Sequence, residues 1–595
     1  MRFLTCGADG ILVELADLDE TLRVFSALQN AVKPTVRRAA NVADATESAL
    51  NSVFAGVKQL IPAAHTIYVS FDPLFSRRTS LISAIRALNV AVDVRRHSRI
   101  VEIPVIYDGE DLADVADALG ISSDQVVSRH CDSDWSVAFV GFAPGFAYLT
   151  GGDPIFDVPR RKVPRLSVPA GAVGLAGTFS GVYPRVSSGG WQLLGHTETS
   201  MWDERANPPA LLQPGDTVRF ASVRDCAVAA PASAPCVSVS PDSDVQADVV
   251  GVHVSDSAES DTGAPGHPAS SSVAALEVIR PGLLTTFQDD GRTAASMGVT
   301  GSGAADRGSF HLANALVGNP PGMAALEITG GGVSVRACGN VVVAVTGAPA
   351  DIVITGARQS QPNRDRTVIA MQEAALLRDG DVLSIAPPAR GLRNYLSVRG
   401  GFDVPLTLGS AATDTMSGIG PCPVAAKQRL AVRDSRPVCD CGVGLPRPWP
   451  SALPSPGIVT ELDVRLGPRD DWFTAAGLST FLTRIWTVTA QSNRVGLRLA
   501  GEVPLERSNT CELASEATPA GAIEVPTSGQ PVIFLRDQPV TGGYPVIAVL
   551  ESESLDVAGQ LPPGAQIRFH VASDLTATRP TPLNTQSAPY TKELR

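Results

Sequence analysis

Arginines and carboxylates set in glycine-rich loops are the residues of this chain best suited to chemistry. The first group lies between residues 139 and 191, in FVGFAPGFAYLTGGDP, VPRRKVPRLSVPAGAVGLAG and GVYPRVSSGGW. It contributes Tyr148, Arg160, Arg161, Arg165, Gly171, Tyr183 and Trp191. Glycine supplies positive φ and close backbone approach, and proline fixes φ and removes a donor. These segments therefore form short strands joined by shaped loops, not helices. A cleft walled by main chain and armed with arginine fits that composition, because loops on a rigid scaffold commonly carry sites. Arginine suits a carboxylate or phosphate, which it can grip through two parallel hydrogen bonds.

A second group is spread over the rest of the chain. PGLLTTFQDDGR ends in Gln288, Asp289, Asp290 and Arg292, and the run from 301 to 332 holds Asp306, Arg307, Asn314, Asn319 and Glu327. RGGFDVP starts at Arg399, SNRVGLRLAG carries Arg494 and Arg498, ASEATPAGAIEVP contains Glu516, and DQPVTGGYP includes Tyr544. Any one of these reads equally as a solvated turn; glycine recurring beside a charge points to a polar site in part of them. His130 is the candidate for acid–base work, since imidazole titrates near neutrality, though a satisfied core histidine would look the same.

Composition narrows the classes. The chain has 595 residues, 44% hydrophobic and 18% charged, with a net charge of −12. That describes several globular domains, and the negative balance argues against nucleic acid or an anionic membrane as partner. Lysine occurs only at Lys33, Lys58, Lys162, Lys427 and Lys592, so arginine carries nearly all the positive charge. Nine scattered cysteines include no C-x-x-C pair; Cys439 and Cys441, with Cys422 upstream, lack the histidines a zinc site would want. No transmembrane span or export signal is legible, so a cytoplasmic protein is expected. A P-loop and a G-x-S-x-G nucleophile elbow are both absent, and AAKQR around Lys427 is unlike a biotin acceptor.

The elements that must position these residues are mostly strands. GILVEL and HTIYVSFDP read as strands, LDETLRVFSALQNA and RTSLISAIRALN as amphipathic helices, giving a small ferredoxin-like α/β layer over residues 1–90. RIVEIPVIYD and the helix EDLADVADALG open a second module, residues 91–225, all β from Trp135 to Phe220. Residues 226–272 have no Lys or Arg, no aromatics and several acids, the composition of a flexible acidic linker. Residues 273–571 read as two further β modules with one helix at SFHLANALVGN, and 572–595 as a polar tail. LQPGDTVRF at 212, LRDGDVLSI at 377 and LPPGAQIRF at 561 echo one another as a tight turn feeding a terminal barrel strand. Val168-Pro169 and Tyr183-Pro184 ahead of the first copy match Val525-Pro526 and Tyr544-Pro545 ahead of the third. Three related barrels follow, with a site expected at their mutual interface.

These motifs carry a resemblance. GFAPGFAYL, PRRKVPRLSVPAGAVGLAG and VYPRVSSGGWQLLG resemble the B subunit of prokaryotic 5-oxoprolinase, the KipI family, whose older label is allophanate hydrolase subunit 1. RPGLLTTFQDDGR, ADRGSFHLANALVGNPPGMAALEITGGG, VRGGFDVP, SNRVGLRLAG and TGGYPVIAV are similar to the C subunit, the KipA family. The chain thus resembles a fusion of the two. The resemblance implies cyclophilin-like β-barrels, and likeness to the carboxyltransferase domain of urea carboxylase. It also implies ATP-dependent opening of 5-oxoproline to glutamate, with Mg and a separate LamB/YcsF-type A partner. An unstrained lactam is a poor electrophile, and phosphorylating its carbonyl oxygen creates a leaving group; cationic and main-chain donors must then face the developing charge.

On that reading Arg160, Arg165, Arg292, Arg307, Arg494 and Arg498 are expected anion contacts, and Asp289, Asp306 and Glu516 acid–base or metal–phosphate groups. Tyr148, Gly171, Tyr183, Trp191, Asn314, Glu327, Arg399 and Tyr544 complete the expected binding set. The chain departs from the family pattern at Ala172, His196, Asp290 and Gln538. Two other readings stay open: a carboxyltransferase using biotin carried by another protein, and a KipI-like binding inhibitor of a histidine kinase.

Overall fold

A computed structural model describes residues 1–32, 53–90, 99–161, 163, 165–224, 274–356, 366–433 and 453–572. The expected acidic linker, nearly all of the polar tail, and Cys439 and Cys441 lie outside the described residues. The chain begins with four antiparallel strands, β1 (Arg2–Thr5), β2 (Gly10–Glu14), β3 (Val57–Pro62) and β4 (Thr66–Phe71), in the order β1-β2-β4-β3. Helices Leu18–Val32 and Arg78–Arg86 pack on them through Val24, Leu28, Leu81 and Ile85. No helix among the described residues is long and apolar enough to cross a membrane.

The first barrel comprises β5 (Ile100–Val105), β6 (Trp135–Val140), β7 (Ala147–Thr150), β8 (Arg165–Val168), β9 (Ala172–Ala176), β10 (Phe179–Val182), β11 (Ser187–Gly189), β12 (Gln192–His196) and β13 (Thr217–Ser222). Its strand order is β5-β13-β6-β7-β10-β9-β12, and an isolated bridge between Ile106 and His196 brings the two edges together. β8 and β11 form a separate two-stranded ribbon. The helix Ser123–Asp132 starts at a reciprocal cap between Ser122 and Gln125, which satisfies two otherwise orphaned N–H groups.

The middle module holds β14 (Ala275–Pro281), β15 (Leu284–Gln288), β16 (Ala325–Thr329), β17 (Val333–Cys338), β18 (Val341–Gly347), β19 (Ile352–Thr355), β20 (Arg366–Ile369), β21 (Ala374–Leu377), β22 (Val382–Ile385), β23 (Arg393–Val398) and β24 (Arg429–Ala431). They form a six-stranded and a five-stranded sheet sharing one core, including Leu276, Val335 and Leu383 from one and Leu326, Val343 and Leu396 from the other. The helix Arg307–Val317 begins at Asp306, whose carboxylate accepts from the Ser309 N–H, and ends at left-handed Gly318.

The last module is a closed barrel of β25 (Thr460–Leu466), β26 (Trp486–Val488), β27 (Gly496–Ala500), β29 (Ala522–Glu524), β30 (Val532–Phe534), β32 (Val546–Leu550) and β33 (Gln566–Val571), with β28 (Glu516–Ala517) and β31 (Thr541–Gly542) as its ribbon. Around the closure the order is β25-β33-β26-β27-β30-β29-β32, strand for strand that of the first barrel. In both, the last strand lies parallel to the first. In both, a bulge interrupts the ladder, at Gly174–Leu193 and at Glu524–Val546.

This register corrects the sequence echo. PAGA at 169–172 and PAGA at 519–522 occupy the same turn, with Gly171 and Gly521 both left-handed, so Pro169 corresponds to Pro519 and not to Pro526. Tyr183 follows β10 whereas Tyr544 precedes β32; counting back from the matched bulges, the counterpart of Tyr544 is Trp191. The middle copy also differs, since β22 runs antiparallel between β17 and β19 inside its sheet. A turn dipeptide marks a strand end but not which strand, and only the ladder fixes equivalence.

Candidate functional site

The loop Gly141–Gly145 of the first barrel is the wedge at which the modules meet. Phe142 is held at positive φ, an uncommon state for a bulky residue, and its N–H donates to Thr541 Oγ1 of the last barrel at 2.9 Å. Gly145 N–H donates to Met297 O at 3.1 Å, and a Cβ at Gly298 would strike the backbone carbonyl of Ala143. The α/β layer closes the same seam: Cys6, Leu12, Ile61 and Tyr68 share a core with Ala517, Phe534 and Val549. A cavity of about 750 Å³ between that layer, Gln213–Pro214 and residues 293–297 has Lys58 as its only charged lining residue among the described residues, paired to Asp72 at 3.2 Å.

Behind the wedge lies a buried charge network joining the middle module to the last barrel. Arg494 bonds Asp537 in bidentate fashion at 3.0 and 3.1 Å, ion-pairs with Glu327, and donates to Gly303 O at 2.7 Å. Glu327 also pairs with Arg393 at 3.1 Å and accepts from Tyr395 Oη at 2.9 Å and the Ala305 N–H at 2.8 Å. Asp537 takes Ser302 Oγ at 2.7 Å and Thr415 Oγ1 at 2.6 Å. Burial opposes both carboxylates, but the arginines hold them below the usual range. Every partner here is satisfied, so Glu327 and Arg494 form a structural hub. Removing one charge from such a network costs about 3–5 kcal/mol.

Unsatisfied groups gather beside it. Arg292 is 5% exposed and bonds Ala412 O through Nη2, while its Nε and Nη1 are buried without partners. Asp414 accepts Met416 and Ser417 N–H groups at Oδ1 and leaves Oδ2 buried and unpartnered. Burial, then the nearby Asp537 charge, pushes Asp414 up to about 6. Arg185 reaches in from the first barrel, its Nη1 3.8 Å from a Cβ placed on Gly418 and its Nε unpartnered; Trp202 Nε1 is likewise unpartnered, and the Ser417 hydroxyl faces the Asp414 carboxylate. Native proteins rarely bury several bare donors together, so these mark where a small polar or anionic group belongs.

A second seam joins Tyr148, Arg160 and Ser515: Tyr148 Oη lies 3.3 Å and Arg160 Nη2 3.4 Å from Ser515 Oγ, and Arg160 pairs with Glu512 at 3.1 Å. Tyr183 and Trp191 are buried in the aromatic cluster behind it. Other expected site residues have local duties. Gly171 is a left-handed turn whose Cβ would strike Thr197 O. Arg165 pairs with buried Asp111 at 2.8 Å. Asp289 staples its loop, accepting from Gly291 N–H, Ser410 Oγ and Ala411 N–H, each at 2.7 Å. Asp306 caps its helix, and Arg307 donates to Asp290 O at 2.9 Å. Asn314 holds the carbonyls of Pro321 and Met323, Arg399 lies at the C-terminal end of the same helix near Val317 O, and Arg498 is exposed on the barrel wall.

His130 sits wholly inside the first barrel, stacked on Phe220 with centroids 4.5 Å apart and bonded to Tyr107 Oη at 2.7 Å and Ser180 Oγ at 2.9 Å. Burial lowers it to about 3, so it stays neutral. Phe481 stacks on Phe569 at the same place in the last barrel, which gives His130 a packing role. Residues not singled out from sequence include Arg185, Trp202, Asp414 and Ser417. Arg185 stands within VYPRVSSGGW, so its loop was the available signal; nothing local marks the other three.

Mg-ATP finds no evident cradle in this donor set. Among the described residues no three His, Cys, Asp or Glu side chains are grouped to hold a metal. The helix N-terminus at Arg307 is already closed by Asp306 and by Asp556, which takes the Arg307 N–H at 3.0 Å.

Residues 1–212 match the model for carboxyltransferase domain subdomains C and D, and residues 297–571 that for subdomains A and B. The chain belongs to the carboxyltransferase-domain family. It is 51% identical over 126 residues to the 5-oxoprolinase B subunit of Escherichia coli O157:H7, covering 21% of this chain and 58% of that protein. It is 32% identical over 300 residues to the 5-oxoprolinase C subunit of Escherichia coli K12, covering 49% of this chain and 90% of that protein. The crystal structure of TTHA0988 superposes with a TM-score of 0.74 at 30% identity, over 94% of this chain and 99% of that one.

Proposed function

We propose that this chain is the fused B–C component of an ATP-dependent 5-oxoprolinase, opening 5-oxoproline to glutamate with a LamB/YcsF-type A partner. The observation that carries the reading is the wedge, at which a half like the B component and a half like the C component close on Arg292, Asp414 and Arg185 with donors left over. A polarised lactam carbonyl develops negative charge as water attacks, and preorganised guanidinium donors in a dry site stabilise that charge far more than water does. Asp414, titrating near 6, is poised to pass a proton near neutrality.

The test mixes the purified chain with a LamB/YcsF-type protein, Mg-ATP and 5-oxoproline, and follows glutamate and ADP. Formation of both only when the two proteins are together is the expected result; no turnover with a competent partner refutes the reading. Carboxyl transfer to or from biotin on another protein is the second reading, favoured by the carboxyltransferase subdomains across both halves. Transfer from carboxybiotin would then replace glutamate formation.

A further inference from the structure

We propose that the outer face of the β8–β11 ribbon, centred on Leu166 and Val186, is a docking face for a second protein. Its occupant is the A-type partner of the proposed reaction, through a surface that is apolar with a cation at its rim. The last barrel shows what such a ribbon is built to carry. There Ala517 of β28 and Val540, just ahead of β31, are each 3% exposed, because Cys6, Leu12, Ile61 and Tyr68 of the α/β layer share a core with them. The layer is also tied down by main chain and by charge: Ala64 N–H donates to Ser515 O at 3.2 Å, and Glu14 pairs with Arg469 at 2.7 Å. In the first barrel Gly189 pairs with Arg165 as Gly542 pairs with Glu516, so Leu166 stands where Ala517 does. Val186, just ahead of β11, stands where Val540 does. Here the cover is missing among the described residues: Leu166 is 95% exposed and Val186 65%, with Val163 on the approach to β8 at 76%.

Three bare apolar side chains along one short ribbon differ from the single ones scattered over any surface, and grouped exposure marks an interaction site. The occupant is a different protein. This chain's α/β layer is already seated on its own last barrel, and a second copy would have spent its layer in the same way. Position says which protein. Val186 follows Arg185, which reaches from this ribbon into the site beside Gly418. A protein seated on Val186 borders that site, as a further component of the same reaction must; the choice of this occupant rests on the oxoprolinase reading. Charge sets the rim. The cover of the last ribbon brings a carboxylate, Glu14, to Arg469, and in the first barrel the signs are exchanged, with Asp111 meeting Arg161 and Arg165. Glu110 is a largely exposed carboxylate beside them, 3.1 Å from Arg165, so a lysine or arginine at the partner's rim complements it.

Sedimentation velocity on the whole chain with a purified LamB/YcsF-type protein, without ATP or 5-oxoproline, tests the face apart from turnover. The expected result is a complex that Leu166→Asp and Val186→Asp each weaken at least about tenfold at unchanged melting temperature, as loss of a buried apolar anchor does. Glu110→Arg should weaken it a few-fold and flatten its salt dependence, since that contact lies at the rim. Leu283→Asp, which charges another exposed leucine, between β14 and β15, should leave the affinity unchanged. No complex with the wild type at high micromolar concentration, a complex indifferent to Leu166→Asp, or equal weakening by Leu283→Asp overturns the proposal. So does a chain that dimerises alone and becomes monomeric with Leu166→Asp, which would give the face to a second copy. A Leu166-dependent complex that makes no glutamate removes the oxoprolinase reading and keeps the face. Turnover whose half-saturating partner concentration is unmoved by Leu166→Asp removes the face alone.

Discussion

The first and last barrels share one topology and answer the same packing problems with different chemistry. At their cores they agree: Trp135 Nε1 donates to His130 O, and Trp486 Nε1 to Phe481 O, both at 3.1 Å, and Gly152 and Gly501 leave room for the two indoles. At the ribbons they diverge by charge. Asp111 N–H bonds Leu193 O and its carboxylate meets Arg165; Arg469 N–H bonds the matching Val546 O and its guanidinium meets Glu516 at 3.1 Å. One ion pair is the other with its signs exchanged. The surroundings differ too, since the last ribbon is covered by the α/β layer through Ala517 while Leu166 and Val186 of the first stand exposed. The difference teaches that backbone register is the shared inheritance, while side-chain chemistry follows what each barrel is packed against.

The comparison breaks hardest at the covered pair. Arg469→Met leaves Glu516 and Glu14 without their cation in a buried seam, and should cost about 3–5 kcal/mol in urea denaturation. Arg165→Met should cost less, about 1–2 kcal/mol, because Asp111 keeps Arg161 and the Leu193 N–H. Equal losses would mean that the cover over the last ribbon adds nothing. His130→Phe installs the last barrel's residue in the first, strands the Ser180 hydroxyl and leaves that of Tyr107 with Cys131 Sγ alone. About 1–3 kcal/mol should be lost, part of it recovered with Ser180→Ala, and turnover should be unchanged. A collapse of turnover at full stability would make His130 catalytic after all.

The smallest effect is a pH slope. Burial, and then the charge of Glu516, raises Glu524 in the fold to about 8 from an ordinary value near 4.3, so the folded chain binds more protons than the unfolded chain between those values. Stability should therefore fall as pH rises through that window. Glu524→Gln should gain on the wild type from about pH 5 to pH 8, read as the difference in urea midpoints, whereas parallel curves would place the carboxyl in water.

Much of the fold was legible because its punctuation is local. Gly215, Gly380 and Gly564 all take positive φ in the three echoing turns, as their sequences require, and Gly318 ends its helix where the pattern does. The helices Ser123–Asp132 and Ala475–Thr483 were not legible: one is largely polar and the other carries Gly477 and two threonines, and both are held by caps and by packing. Among site residues, Arg292 showed itself as a guanidinium beside glycine. Asp414 did not, because what distinguishes it is burial with an unpaired oxygen, which depends on neighbours far away in sequence. The same holds for His130, whose residue type suggests chemistry and whose place in the barrel is that of a phenylalanine.

The most direct measurement is glutamate and ADP formation by the reconstituted complex, comparing the wild type with Arg292→Met at matched melting temperature. The wedge account predicts equal amounts of glutamate and ADP from the wild type and a loss of at least about 100-fold in the variant, the scale of removing one preorganised donor. Turnover that survives Arg292→Met, or a wild type that makes no glutamate beside a competent partner, would contradict it.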